Sequence, residues 1–110
     1  MTDGNRIAAL RSLLEEQPGD PFLHYAIGLE HLKMKDLASA KAIFSEVVAA
    51  TPDYLPAYFQ LGKVLEQLNE FKLAVKAYEQ GITLASRQGN AHTLSELRGA
   101  LQALTGETDD

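Results

Sequence analysis

The sequence repeats itself with a period of 34 residues. Gly28 and Gly62 are 34 positions apart (62 − 28), and the segments that lead into them, 23–28 and 57–62, align at the same spacing. Further pairs continue the register: Ala40 with Ala74, Phe44 with Tyr78, and Val48 with Ile82. A period of this length, with small residues at fixed places, is typical of a helix-turn-helix solenoid. Because a solenoid offers a surface for binding other molecules, the pattern predicts a mode of action and leaves the partner open.

Composition narrows the classes of protein that fit this chain. Its 110 residues suit one domain, and 45% hydrophobic with 23% charged residues is ordinary for a globular protein. The absence of cysteine excludes disulfides, thiolate metal sites and thiol catalysis. The start of the chain lacks the basic-then-apolar run of a signal peptide, and no apolar stretch approaches the ~20 residues that span a membrane. We therefore expect a cytoplasmic protein that does not bind a membrane.

The net charge of −5 is concentrated at the C-terminal end. Glu107, Asp109 and Asp110 follow Gly106, and without these three the 15 acidic residues become 12 against 10 basic ones, a charge of about −2. Such a body has neither the basic patch of a nucleic-acid-binding protein nor a strong acidic field. We predict an acidic flexible tail over 106–110 and no nucleic-acid partner.

Six helices are predicted, and no segment shows the alternation of a strand. Apolar residues at helical spacing, interrupted by Pro and Gly, place the helices at about 3–17, 21–35, 37–50, 54–68, 70–86 and 91–105. Asp20, Asp36 and Asn69 are the predicted N-caps of the second, third and fifth helices. The predicted fold class is all-α, an α-α superhelix of about six antiparallel helices.

The residues at the fixed places resemble those of the tetratricopeptide repeat family. The second copy carries Tyr58, Leu61-Gly62, Leu65, Ala74 and Tyr78, and the first carries Ile27-Gly28, Ala40, Phe44 and Pro52. The first copy departs from the pattern at His24 and His31, where an aromatic and a bulky residue are usual. The resemblance implies a single domain over 1–105, with a leading half-repeat helix at 3–19, repeats at 21–54 and 55–88, and a capping helix at 90–105.

The small residues are predicted to allow close helix packing. We expect Gly28 to face Ala40, and Gly62 to face Ala74, because helices 8–10 Å apart need a small side chain where they cross. Arg6 lies one period before Ala40 (6 + 34), where no preceding helix is available to contact it.

The last helix fits the period only after a shift. A strict period would turn inward His92, Ser95, Glu96 and Gly99, which make a poor core face. A shift of two residues instead buries Leu94, Leu97 and Leu101 and puts Arg98 at the glycine place. We predict the shifted register, with Arg6 and Arg98 marking the two ends of the array.

By the resemblance, the first helix of each repeat lines a concave groove. The groove candidates are Phe22, Tyr25, Leu29 and Lys33 in the first repeat and Phe59, Gln60, Lys63 and Gln67 in the second. Their apolar side chains would hold an apolar peptide, with Lys33 and Lys63 on the rim. The alternative is that Phe22 and Tyr25 pack on the first helix and complete the core.

Some family members hold acidic tails of heat-shock chaperones in a clamp of lysine, asparagine and arginine. The matching places here are Tyr25, Leu29 and Gln60, then either Asn90 and Leu94 or His92 and Glu96. Because none of these is cationic, we expect no binding of chaperone tails through such a clamp.

No catalytic or metal-binding arrangement emerges from the sequence. His24 and His31 could share a helix face, but without a third ligand we predict packed core histidines. There is no Ser-His-Asp arrangement and no glycine-rich phosphate loop, so we predict no enzymatic activity, cofactor or metal. Two hypotheses remain. One is an adaptor or scaffold that binds a peptide or helix of an unknown protein in the groove, and the other is a module that forms a homodimer through the groove or the last leucine stripe.

Overall fold

The computed structural model describes residues 3–106, which form six α-helices. The helices are α1 (Asp3–Glu16), α2 (Pro21–Lys33), α3 (Leu37–Ala50), α4 (Leu55–Gln67), α5 (Phe71–Gln88) and α6 (Ala91–Thr105). The main contacts join helices that are neighbours in the chain, and the body measures 50 × 28 × 21 Å. No strand occurs within 3–106, and the predicted all-α superhelix is confirmed. The predicted acidic tail lies, from residue 107 onward, outside the described residues.

The helix bounds reproduce the 34-residue period. Both α2 and α4 have 13 residues and begin 34 positions apart (55 − 21). Likewise, α1 and α3 both have 14 residues and begin 34 positions apart (37 − 3). The α1 helix is therefore the structural equivalent of α3, the second helix of a repeat.

The last helix departs from the period by two residues. It begins 36 positions after α4 (91 − 55), because α5 is four residues longer than α3 (18 − 14) while the connection that follows it is two residues shorter (89–90 against 51–54). Leu97 is fully buried, Leu94 and Leu101 are partly buried, and the four residues that the strict register would turn inward are exposed. The predicted shift is thus confirmed, and the predicted end of the fifth helix at 86 is two residues short.

Side-chain caps start two of the helices as predicted. The carboxylates of Asp20 and Asp36 accept backbone N–H groups of α2 and α3 at 2.9 and 3.2 Å. The predicted cap Asn69 is wrong, because Glu70 is the N-cap residue of α5 and makes no side-chain cap bond. Asn69 instead takes a left-handed conformation with φ 61°, as Lys35 does with φ 62° one period earlier. Both residues follow the end of a first-of-repeat helix.

The 34-residue spacing of Gly28 and Gly62 reflects contact with aromatic rings. A Cβ added to Gly28 would lie 2.5 Å from Cε1 of Phe44, and one added to Gly62 would lie 2.7 Å from Cζ of Tyr78. In each case the three nearest atoms belong to the ring one turn beyond Ala40 or Ala74 on the facing helix, and the expected contact with the alanines themselves stays a prediction. Each ring fills the space that the missing side chain leaves.

Arg6, predicted to mark the start of the array, makes an ion pair with α2 of the same chain. Its Nη1 lies 3.5 Å from Oε2 of Glu30, whose side chain is 9% exposed against 54% for Arg6. One period later the same two places hold Ala40 and Val64, both fully buried (6 + 34 and 30 + 34). The α1–α2 junction therefore uses an ion pair where the α3–α4 junction uses an apolar contact.

Two clusters of buried side chains hold the helices together. The first joins α3, α4 and α5 through Ala40, Phe44, Leu61, Val64, Leu65, Ala74 and Ala77. The second joins α4, α5 and α6 through Leu55, Tyr58, Tyr78, Leu84, Ala85 and Leu97. Leu104 packs against both, so the core continues across the repeat boundary.

Candidate binding groove

An open groove lies between α4 and the end of α2 with the turn that follows it. Its volume is about 470 Å³, and its walls are Leu32, Lys35, Leu37, Phe59, Gln60, Lys63 and Gln67. The leucines and Phe59 supply apolar surface, and the lysines and glutamines supply polar ends. This combination of an apolar floor with a few polar groups is typical of a binding site.

The sequence of α4 explains why one of its faces is open. Phe59, Lys63 and Gln67 recur every four residues and so lie above one another on one side of the helix. Leu61 and Leu65 point the other way, into the buried cluster that joins α4 to α3 and α5. Burial of the leucine face therefore presents the Phe59–Lys63–Gln67 face to the groove.

The opposite wall comes from a turn. Lys35, two residues after the end of α2, has the left-handed conformation, and Leu37 is the first residue of α3. This tight connection, together with Leu32 in the last turn of α2, places a lysine between two leucines beside α4. The wall thus depends on a backbone conformation that residues other than glycine adopt at a cost.

Four of the eight predicted groove residues line this groove: Phe59, Gln60, Lys63 and Gln67. Sequence reasoning missed Leu32, Lys35 and Leu37, because the period marks helix faces and treats the turn only as a connection. The signal that points to them is the pair of leucines flanking a Lys-Asp turn, an apolar pair that a solvated connection does not need.

Tyr25 and Leu29 pack within the fold, behind the groove. The Tyr25 ring lies 5.6 Å from that of Phe44 and 5.5 Å from that of Tyr54. Burial raises the pKa of the Tyr25 phenol, and a hydrogen bond with Gln60 lowers it in part. Leu29 is partly buried against the α3–α4–α5 cluster. Gln60 therefore joins the groove wall to Tyr25.

Phe22 and Lys33 do not line the groove. Phe22 is 58% exposed near the start of α2, so its side chain does not complete the core. The Lys33 amine lies 3.7 Å from Oε1 of Glu30, the carboxylate that also meets Arg6. The cation on the α2 side of the groove is Lys35 rather than the predicted Lys33.

The two groove lysines lack acidic partners within residues 3–106. The ion pairs in this range involve Arg6, Lys33 and Lys41, and the other carboxylate contacts are those of His31 and His92. Lys41, by contrast, meets both carboxylate oxygens of Glu70, at 2.9 and 2.8 Å. Lys35 and Lys63 therefore present charge that an external carboxylate can neutralise.

The displaced start of α6 decides which of its residues match the groove residues of α4. With a separation of 36 positions, Glu96 corresponds to Gln60 and His92 to Pro56 (96 − 36 and 92 − 36). Both are exposed, and His92 Nε2 lies 3.6 Å from Glu96 Oε1. The α6 side of the concave face thus carries a carboxylate.

The histidines make separate structural contacts. His24 Nε2 lies 3.0 Å from the Pro18 carbonyl oxygen, and His31 Nδ1 lies 3.4 Å from Asp36 Oδ2. Within the described range, no group of three or more His, Cys, Asp or Glu side chains could hold a metal ion. No helix in that range is both long enough and apolar enough to cross a membrane.

Comparison with known proteins identifies the repeat. A family model described as "Tetratricopeptide repeat" matches residues 23–54 and 55–88, more than half of the chain. Comparison with curated proteins gives no match. Among solved structures, a tetratricopeptide repeat domain protein from Salinibacter ruber is 40% identical with a TM-score of 0.77, over 81% of this chain and 99% of that one.

Two further structures resemble the fold. The TPR2B domain of yeast Sti1, solved as a pHsp70 complex, has a TM-score of 0.87 at 14% identity, over 96% of this chain and 85% of that one. The first repeat domain of Spaghetti (RPAP3), solved with the HSP90 peptide SRMEEVD, has a TM-score of 0.75 at 25% identity, over 94% of this chain and 80% of that one.

Proposed function

Because the chain belongs to the tetratricopeptide repeat family, we propose that it is a protein-interaction module whose α2–α4 groove binds a short segment of another protein. The observation that carries the proposal is the groove itself, in which an apolar floor is flanked by two lysines without acidic partners in residues 3–106. A structural neighbour solved with a bound peptide supports this use of the fold.

The groove chemistry specifies the segment. An apolar side chain of the partner packs on Phe59 and the two leucines, and an acidic side chain meets Lys35 or Lys63. The amides of Gln60 and Gln67 can pair with the partner's backbone. We propose a segment in which an apolar residue lies next to Asp or Glu.

We further propose that chaperone tails are not the natural ligand. Tyr25 and Leu29, at two of the clamp places, pack against the fold and carry no positive charge. Glu96, which corresponds to Gln60, would repel a tail that ends in carboxylates. The partner is therefore expected to present its acidic residue within the α2–α4 groove, away from α6.

As a whole, we propose a non-catalytic cytoplasmic adaptor or scaffold, with residues 1–105 as its single domain. Its polar groups serve as helix caps, ion pairs and groove walls. Recognition of another protein is the role that this arrangement supports best.

A random-peptide display library tests the proposal. Selection on the unaltered protein should enrich peptides in which an apolar residue adjoins Asp or Glu. Lys35→Glu with Lys63→Glu should weaken the binding of the selected peptides by about tenfold or more, because two attractive charges become repulsive. Lys72→Glu with Lys76→Glu is the matched control, since both lysines are exposed on α5 and the change in net charge is the same.

The loss of peptide affinity in the two double variants decides whether the groove is the binding site. Equal weakening by both pairs would show a general charge effect and contradict groove binding. Enrichment of purely basic or purely polar peptides would also contradict it. If the unaltered protein dimerises on concentration and Phe59→Glu restores the monomer, the groove is a self-association surface instead.

A further inference from the structure

The two ends of the chain are complementary parts of one repeat. The α1 helix matches α3 in length and register, so it has the place of a second helix, and no first helix precedes it within residues 3–106. The α6 helix begins at the place that matches the start of α4, so it is a first helix, and no second helix follows it within residues 3–106. If the α6 of one copy met the α1 of another, the two would complete a repeat.

The outer face of α1 is apolar and partly uncovered. Leu10 and Leu13 occupy the places of Phe44 and Val47 in α3 (each + 34), and Leu10 is partly buried whereas Leu13 is exposed. Leu13 is 45% exposed, whereas Val47 is 3% exposed because α2 covers it. The α1 face thus offers the apolar surface that a first helix normally covers.

The outer face of α6 shows the matching pattern with one exception. Leu94 and Leu101 occupy the places of the buried Tyr58 and Leu65 (each − 36) and remain partly exposed. Between them Arg98, which is exposed, takes the place of Gly62 (98 − 36). At Gly62 even a single added carbon would collide with the facing ring of Tyr78.

We propose that the outer faces of α6 and α1 fit each other between two copies of this chain, and that Arg98 and Arg6 prevent this contact. Arg98 would have to fit against Leu10, which stands where Phe44 faces Gly28 (10 + 34). One turn away, Arg6 takes the place of the fully buried Ala40. The contact would therefore bury the long, charged side chain of Arg98 next to Arg6, whose own charge is paired with Glu30.

A second copy is the occupant because this chain supplies both surfaces. The interface would use the two places that a glycine and a ring occupy where α2 joins α3 and α4 joins α5, with Leu10 at the place of the ring. Since the surfaces differ, the contact is head to tail and, once opened, would continue without closing. The arginines then prevent growth into a filament.

Three variants remove the arginines, and a helix face without its arginine is called open. Arg98→Ala opens the α6 face while keeping a strong helix former. Arg6→Ala with Glu30→Val opens the α1 face and installs the Ala40–Val64 pair, so that no buried carboxylate loses its partner. The third variant combines all three changes. Helical circular dichroism equal to that of the unaltered protein confirms that each one folds.

Light scattering coupled to gel filtration measures the assembly. The unaltered protein and each singly opened variant should remain monomeric. An equimolar mixture of the two opened variants should reach about twice the monomer mass and stop there, because its free ends retain Arg6 and Arg98. The combined variant should grow with concentration without a plateau, and adding Leu10→Lys should return it to the monomer.

Several results would overturn the proposal. One is a monomeric mixture of correctly folded variants, and another is head-to-tail growth of the unaltered protein. Self-association of either opened variant alone would show that one arginine does not suffice. Assembly that persists with Leu10→Lys would place the contact elsewhere. None of these results depends on peptide binding, since no substituted residue lines the α2–α4 groove.

Discussion

Gly62 and Gly99 are both helical glycines, yet their surroundings differ completely. A Cβ at Gly62 would meet the ring of Tyr78, which is fully buried and whose hydroxyl donates a hydrogen bond to Glu66. A Cβ at Gly99 would meet nothing within 4 Å. At the scale of the residue, the ring therefore dictates glycine at one position only.

We predict opposite effects of alanine at these two positions. Gly62→Ala should lower the free energy of unfolding by roughly 1–3 kcal/mol, because the anchored ring cannot move aside without cost. Gly99→Ala should raise it by about 0.5–1 kcal/mol, the ordinary gain of alanine over glycine in a helix. Urea unfolding of both variants measures the difference, and two changes of the same sign would contradict the packing account.

Lys35 combines backbone strain with a groove position. Its left-handed conformation suits glycine, so Lys35→Gly should raise the free energy of unfolding by about 1 kcal/mol. The same change removes a groove cation and should weaken peptide binding. Asn69→Gly is the control at the equivalent turn, with a smaller gain because asparagine tolerates this conformation, and with unchanged binding. A Lys35→Gly variant that binds the selected peptides as tightly as before would remove Lys35 from the site.

At the scale of the element, the hydroxyl of Tyr78 ties α5 to α4 through Glu66. Burial raises the pKa of Tyr78 above its usual value of 10.0, and the hydrogen bond and the charge of Glu66 raise it further. The folded protein therefore keeps this proton at a pH where the unfolded chain loses it. This contribution to stability is complete below pH 10.0 and decreases as the pH rises above it.

We predict that Tyr78→Phe reduces the loss of stability at alkaline pH. It should not abolish that loss, because burial also raises the pKa of Tyr25, Tyr54 and Tyr58. Urea midpoints measured from neutral pH to above pH 10.0 provide the test. An alkaline decline as steep in Tyr78→Phe as in the unaltered protein would show that Tyr78 is not its main source.

Helix positions could be predicted from sequence because the period records packing between neighbouring helices. The shift of α6 was also predictable, since only one register buries its leucines. The cap of α5 and the ring that lies nearest to each glycine were not, because both depend on where a rigid ring or a tight turn lies in space. The Arg6–Glu30 pair was missed for a related reason. In the sequence Glu30 has the pattern of a solvated helix residue, and only the position of α1 in space shows that it is covered.

At the scale of the whole molecule, the groove arises from two repeats acting together. Its α4 wall follows from helical spacing and was predicted, whereas its opposite wall comes from the turn after α2. No helical pattern reports on that turn, because its shape depends on the conformation of Lys35. Tyr25 and Leu29 have the spacing of groove residues, but aromatic and apolar neighbours in later elements cover them.

The central claim concerns where the partner binds, and mapping backbone amide chemical shifts during titration with a selected peptide tests it most directly. The account predicts that the largest changes fall within 32–37 and 59–67, on the two walls of the groove. Changes concentrated on the outer faces of α3 and α5, or on α1 and α6, would contradict it.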